Sequence, residues 1–171
     1  MKKFAWLVFL LTLTAYAGAQ QTINFADLPD ATSATPLPSG YHSLTWGGVS
    51  YVDPFKATGM GPGFQHAGSI AGTDVAFGPG ICGGAGCYST LTAASGHSFQ
   101  MVSANVAAGF SSGTLTVLAY NNGTYVGSQA YPLTTDVQTL TFPSGWGSVT
   151  EVVLQASALQ WSFVLYSVTI N

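Results

Sequence analysis

Short apolar runs recur about every 11 to 12 residues from residue 98 onward, with turn signals between them. The runs cover residues 98–104, 114–120, 125–131, 137–142, 149–156 and 161–170. That rhythm predicts antiparallel strands of a β-sandwich or barrel. Asn121-Asn122-Gly123 predicts a tight hairpin, because Asn-Gly accepts the positive φ values that such turns need. Thr134-Thr135-Asp136 and Pro143-Ser144-Gly145 mark the next two reversals. Within 114–120, Leu115, Val117 and Ala119 share one face. The last run is apolar on both faces, with Trp161, Phe163 and Leu165 on one and Val164, Tyr166, Val168 and Ile170 on the other. A strand of that kind is central or covered on both sides.

The N-terminal part reads less regularly. Thr22-Ile23-Asn24-Phe25, Leu44-Thr45-Trp46, Val49-Ser50-Tyr51-Val52 and Asp74-Val75-Ala76-Phe77 are expected strands. Residues 31–40 and 56–73 are expected loops, the second long and Gly-rich. Long loops in compact domains tend to carry function. No stretch holds a 3.6-residue period behind a cap, so no substantial helix is expected. The fold class is therefore all-β, an antiparallel β-sandwich.

Charge is scarce. Only 5% of residues are charged, against roughly 25% in an ordinary soluble domain. The chain has no Arg. High hydrophobicity excludes a disordered chain, and the lack of charged heptads excludes a coiled coil. A nucleic-acid binder needs a basic patch, which this composition cannot build. Residues 1–19 have the three parts of a secretory leader: Met1-Lys2-Lys3, an apolar run at 4–13, and Ala17-Gly18-Ala19. The apolar run is too short to span a bilayer, which takes about 20 residues. Cleavage after Ala19 predicts a secreted, extracellular protein with one domain at residues 20–171 and no membrane span. Lys56 is then the one cation against six carboxylates, a net charge of −5. Anionic partners are disfavoured and neutral ones favoured.

Cys82 and Cys87 bracket Gly83-Gly84-Ala85-Gly86. In an oxidising compartment this pair is expected to form a disulfide that shapes a local loop. A zinc site would need a second ligand pair. His42, His66 and His97 show no ligand spacing, so neither a metal nor another cofactor is expected. Asn122-Gly123-Thr124 matches an N-glycan acceptor. Enzyme readings are poorly served. Glu151 is the sole Glu, and the Asp residues mostly sit at strand ends, so a glycosidase carboxylate pair is not evident. No Gly-x-Ser-x-Gly elbow is present. A polysaccharide-attacking copper oxygenase begins its mature chain with a ligating His, where this one begins with Gln20.

The segments from Thr22 to Pro29 and from Tyr41 to Trp46, with Thr114 to Gly123 and the closing run from Phe163, resemble small secreted jelly-roll domains of the galactose-binding-like type. These are related in fold to many carbohydrate-binding modules. The resemblance spans nearly all of residues 20–171 in short pieces. It implies a jelly-roll-like sandwich and says little of function, because this fold binds many things. Such domains often hold a structural Ca²⁺ on acidic residues of the first and last strands. Asp27 is present here, but the last strand offers no carboxylate, and calcium wants six to eight oxygens.

Two functions follow as expectations. The first is a non-catalytic, lectin-like protein that binds a neutral glycan or cell-wall surface. Sugars present apolar C–H faces and a ring of hydroxyls, so aromatic platforms beside polar groups suit them. The candidate ligand-binding residues are Tyr41, His42, Trp46, Asp53, His66 and Trp146. The second is a structural or interaction protein without sugar binding, such as a matrix component or a host-directed effector with a protein partner. The first predicts a groove with exposed aromatics. The second predicts buried aromatics and apolar patches outside.

Overall fold

The computed structural model describes residues 19–72, 74–78, 87–157 and 162–171. The hairpin predicted at Asn122-Gly123 forms between β8 (Gly113–Asn121) and β9 (Thr124–Leu133), with Asn121 opposite Thr124. Asn122 has φ 49° and Gly123 φ 76°, the pair of left-handed residues that a type I′ turn requires. Leu115, Val117 and Ala119 are fully buried on one face of β8, as the alternation predicts.

All strand pairs are antiparallel. One sheet runs β3 (Leu44–Gly47), β6 (Tyr88–Ala93), β11 (Glu151–Ala156), β8, β9. The other sheet has seven strands, and its main path begins β10 (Gln138–Thr141), β7 (Met101–Ala108), β12 (Phe163–Ile170). It continues through β5 (Val75–Phe77), β4 (Ser50–Val52) and β2 (Thr35–Pro36), while β1 (Gln21–Ile23) pairs with β12 beside β5. The two sheets enclose a core that includes Leu91, Val117, Val152, Leu154, Phe163 and Leu165. The expected β-sandwich is thus the fold.

β12 is central, with β7 on one side and β1 and β5 on the other. Its two apolar faces have separate uses. Phe163 and Leu165 enter the sandwich core, and Val164 enters a second cluster with Val52, Phe64, Ala67 and Val75. A register shift between Leu165 and Ser167 breaks strict alternation, so Val168 and Ile170 return to the sandwich core.

That second cluster lies under α1 (Pro62–Ala71), a ten-residue helix inside the segment expected to be Gly-rich loop. Gly61 caps it without a side-chain hydrogen bond, and Pro62 occupies its first position, where a missing N–H costs nothing. Its hold on the sheet is close contact. A Cβ on Gly63 would stand 1.8 Å from the Ala108 carbonyl oxygen, and the Gly63 N–H donates to the Gly109 carbonyl at 3.0 Å. Strands β2 and β6 also have no counterpart among the expected strands. The expected leader lies almost wholly outside the described residues, as do Cys82 and Trp161. Among the described residues no helix is long and apolar enough to cross a membrane.

Candidate functional site

Antiparallel pairing brings the start of β1, the start of β3, the end of β6, the β8–β9 hairpin and the end of β12 to one end of the sandwich. Two adjoining cavities open there, of about 400 and 330 Å³. They share Ala93, Ala94, His97 and Ser98 and form one groove. Asn121, Asn122 and Thr150 line the first compartment, and Gln21, His42 and Ser43 the second. Among the described residues, no Asp, Glu, Lys or Arg side chain lines either compartment.

The walls are hydrogen-bonded into place. The His97 N–H donates to the Ala94 carbonyl at 2.9 Å, closing a turn that sets His97 between the compartments. The Asn122 N–H donates to Thr150 Oγ1 at 2.8 Å, tying the hairpin tip to the start of β11. His42 is fixed from both sides. Its Nε2 faces Asp27 Oδ2 at 3.5 Å, and its Nδ1 meets Gln21 Nε2 at 2.8 Å. A carboxylate on Nε2 assigns the proton there, so Nδ1 accepts from the Gln21 amide. With both ring nitrogens engaged, His42 presents its ring to the groove.

This arrangement is strained. Among the described residues, four non-glycine residues have positive φ: Phe25, His42, Ser43 and Asn122. Three of them line the groove. The Asn122 value follows from its turn type, and His42 at 50° and Ser43 at 64° are the central pair of a second turn of that kind, closed by the Leu44 N–H donating to the Tyr41 carbonyl, here with no glycine to ease it. Left-handed backbone at such residues costs of order 1 kcal/mol each and concentrates at sites where it pre-sets a side chain.

Tyr41 supports His42 from below. It is buried, and its hydroxyl donates to Asp27 Oδ1 at 2.5 Å. Burial and the Asp27 carboxylate push the Tyr41 hydroxyl well above the usual tyrosine range, so it remains a donor. The Tyr41 bond in turn holds the Asp27 carboxyl below its ordinary value, with partial burial opposing and His42 assisting. Stability from Asp27 is therefore complete above its unfolded pKa near 3.8 and is lost as pH falls through the lowered folded value. Tyr41→Phe removes the leading cause, so its acid limb of stability between about pH 5 and about pH 2 is expected to be shallower than that of the parent. The Asp27 side chain is 61% exposed, so the difference is small and shrinks further in high salt. Urea unfolding across that range checks it, and parallel acid limbs would remove Asp27 from the account.

The structure separates the other expected ligand-binding residues from the groove. Trp46 is buried, and its indole N–H donates to the Tyr41 carbonyl at 3.0 Å. Asp53 is buried elsewhere, against the Phe55 N–H and Lys56. Burial raises its pKa, but those partners outweigh it and the net shift is downward. Near it Asp74 is 1% exposed, with Oδ2 lacking a partner among the described residues, and burial raises its pKa. His66 lies on α1 and contacts Asp136 Oδ1 at 3.1 Å and the Thr135 carbonyl at 2.9 Å. Trp146 packs on Gly127 and stacks on Phe142, with ring centroids 6.2 Å apart, and closes the side of the sandwich. Of the six, His42 alone lines the groove. Asn122, the expected glycan acceptor, lines it too. Among the described residues no group of three or more His, Cys, Asp or Glu is placed to hold a metal ion.

Sequence reasoning missed Gln21, His97, Ser98, Asn121 and Thr150. Their signal was position: Gln21, Asn121 and Thr150 stand at or beside strand ends, His97 and Ser98 lie in the β6–β7 connection, and strand register gathers all of them at one end.

No protein-family model and no curated protein matches the sequence. Solved structures do resemble it. A DUF4465 family protein from Bacteroides caccae is 12% identical and aligns over 97% of this chain and 98% of its own, with a TM-score of 0.57. A family 32 carbohydrate-binding module from C. perfringens NanJ, solved with galactose, is 16% identical over 81% of this chain and 98% of its own, with a TM-score of 0.43. At 12% identity the first likeness shows the fold alone.

Proposed function

We propose that the protein is a secreted, non-catalytic carbohydrate-binding protein of the jelly-roll, galactose-binding-like type, and that it takes a neutral glycan in the end groove. The observation that carries this reading is the groove itself. It is free of charged side chains, lined by amides, hydroxyls and two imidazoles, and pre-set at His42 by a strained backbone and two hydrogen bonds. Side chains that both donate and accept suit hydroxyls, and a fixed imidazole face suits a sugar's C–H surface. The buried aromatics Tyr41 and Trp46 serve as foundation. An oxidising compartment makes the Cys82–Cys87 bridge part of the same reading. An N-glycan on Asn122 would fill the first compartment, so glycosylation there and ligand binding exclude each other.

His97 is exposed and belongs to both compartments. His97→Ala is therefore expected to weaken retention of a soluble neutral oligosaccharide at least tenfold. Its stability should shift by about 0.5 kcal/mol or less, as for other surface changes. A glycan array followed by calorimetry on the hit checks both. Absence of any hit on neutral glycans would sink the reading.

A second reading, an interaction protein without sugar binding, is favoured by one observation. Phe55 and Ile70 are 58% and 55% exposed and Phe110 45%, all on or beside α1. A protein partner on that face is the outcome to pursue if the groove binds nothing.

A further inference from the structure

The outer face of the five-stranded sheet carries a second surface. Antiparallel sheets with one wet face usually read polar outward. Here Leu118 and Val153 stand directly opposite each other on the outward face, between Thr90 and Ser128 in the same cross-strand row. The next row runs Thr45, Thr92, Glu151, Tyr120, Tyr125. The Tyr120 and Tyr125 rings meet edge to face at 5.8 Å. On the other side of the Leu118–Val153 row, Tyr88 heads a row with Gln155 and Thr116. Tyr88 is 58% and Tyr125 54% exposed. Five strands at the usual spacing make this face about 20 Å across.

The chemistry of the face selects its occupant. Glu151 is the one charged side chain among these three rows, and no cation stands in them. Nucleic acid and anionic lipid have nothing to pair with there. Tyrosine rings and aliphatic side chains offer apolar contact, and the threonine hydroxyls between them offer hydrogen bonds in register. A ligand that fits must be broad, uncharged and both apolar and hydroxylated on one side. An ordered neutral polysaccharide, with its chains side by side, has that character, whereas a single chain or a chain end suits the groove.

We infer that this face is a second binding site, for the surface of an insoluble neutral polysaccharide, and that it works independently of the groove. The test is a depletion isotherm of the purified protein on microcrystalline cellulose and on chitin. Three proteins are compared: the parent, the double variant Tyr88→Ala/Tyr125→Ala, and the groove variant His97→Ala. The two tyrosines are more than half exposed, so the double variant should fold, and Leu118→Lys gives a second probe of the same face. Retention of the parent on one of the polymers is expected to fall at least tenfold in the double variant and in Leu118→Lys, and to persist in His97→Ala. No parent retention on either polymer, or equal retention of parent and double variant, overturns the inference. Sedimentation equilibrium adds one more arm. A parent dimer that the same face variants dissolve would mean that a second copy covers the face, and would overturn it too. Soluble oligosaccharide binding is read separately, so failure of the groove reading and failure of this one are told apart.

Discussion

Gly63→Ala is expected to cost about 3 kcal/mol of stability, at the upper end for an added core methyl. The new Cβ would stand 1.8 Å from the Ala108 carbonyl oxygen and 2.8 Å from its carbon. Those are backbone atoms of β7, a strand hydrogen-bonded on both sides by β10 and β12, so they cannot swing aside. The helix must move instead. As α1 lifts, Gly63 loses its bond to Gly109, and Phe64 and Ala67 pull away from Val164 and Val75. Chemical denaturation of the variant checks the magnitude. Ser69→Ala, an exposed change on the same helix, serves as the control and is expected to lie near the parent. An unchanged midpoint for Gly63→Ala would mean that α1 does not rest on β7.

The same contact explains why the helix was hidden in the sequence. A helix announces itself by a capping side chain and a 3.6-residue apolar stripe. α1 has no side-chain cap, and glycines stand where the stripe should be: Gly63 because the backbone of the sheet comes too close for a side chain, and Gly68 because Pro54 and Phe55 pack against it. Composition that reads as loop is here a record of close approach. Where spacing is ordinary, sequence and structure agree: the Asn122-Gly123 hairpin, the buried face of β8 and the central place of β12 all follow from alternation and turn chemistry. The bulge after Leu165 left no such trace, since apolar residues flank it on both faces.

The groove was legible only at His42. Choosing ligand-binding residues by type favours aromatics, and here most aromatics are spent on packing. Trp46 and Tyr41 brace one wall from inside, and Trp146 seals a side of the sandwich. The lining comes from small polar residues at strand ends, whose meeting depends on register. Gln21 reaches His42 because β1 pairs with the end of β12, and Asn122 reaches Thr150 because β8 pairs with β11. A linear sequence does not display those pairings.

Phe25→Ala is expected to have the largest effect, about 3–5 kcal/mol, as for other fully buried aromatics cut back to Ala. Phe25 is 0% exposed. Its ring stacks on Tyr41 at 6.0 Å and meets Trp46 edge-on at 5.7 Å. Removing it leaves a void under Tyr41, whose hydroxyl holds Asp27, which in turn faces His42. The void therefore sits at the base of the chain of contacts that pre-sets the groove. Two consequences separate this substitution from a simple core truncation. Soluble glycan binding should weaken even under conditions where the variant is fully folded, because His42 loses its fixed pose. Leu154→Ala, another fully buried truncation that is not part of the Tyr41 chain, should cost about 2–5 kcal/mol and leave the affinity of the folded protein unchanged. Calorimetric titration of both folded variants decides the matter. Equal affinities would show that the foundation stabilises the fold without setting the groove, and that the turn through His42 and Ser43 holds the ring by itself.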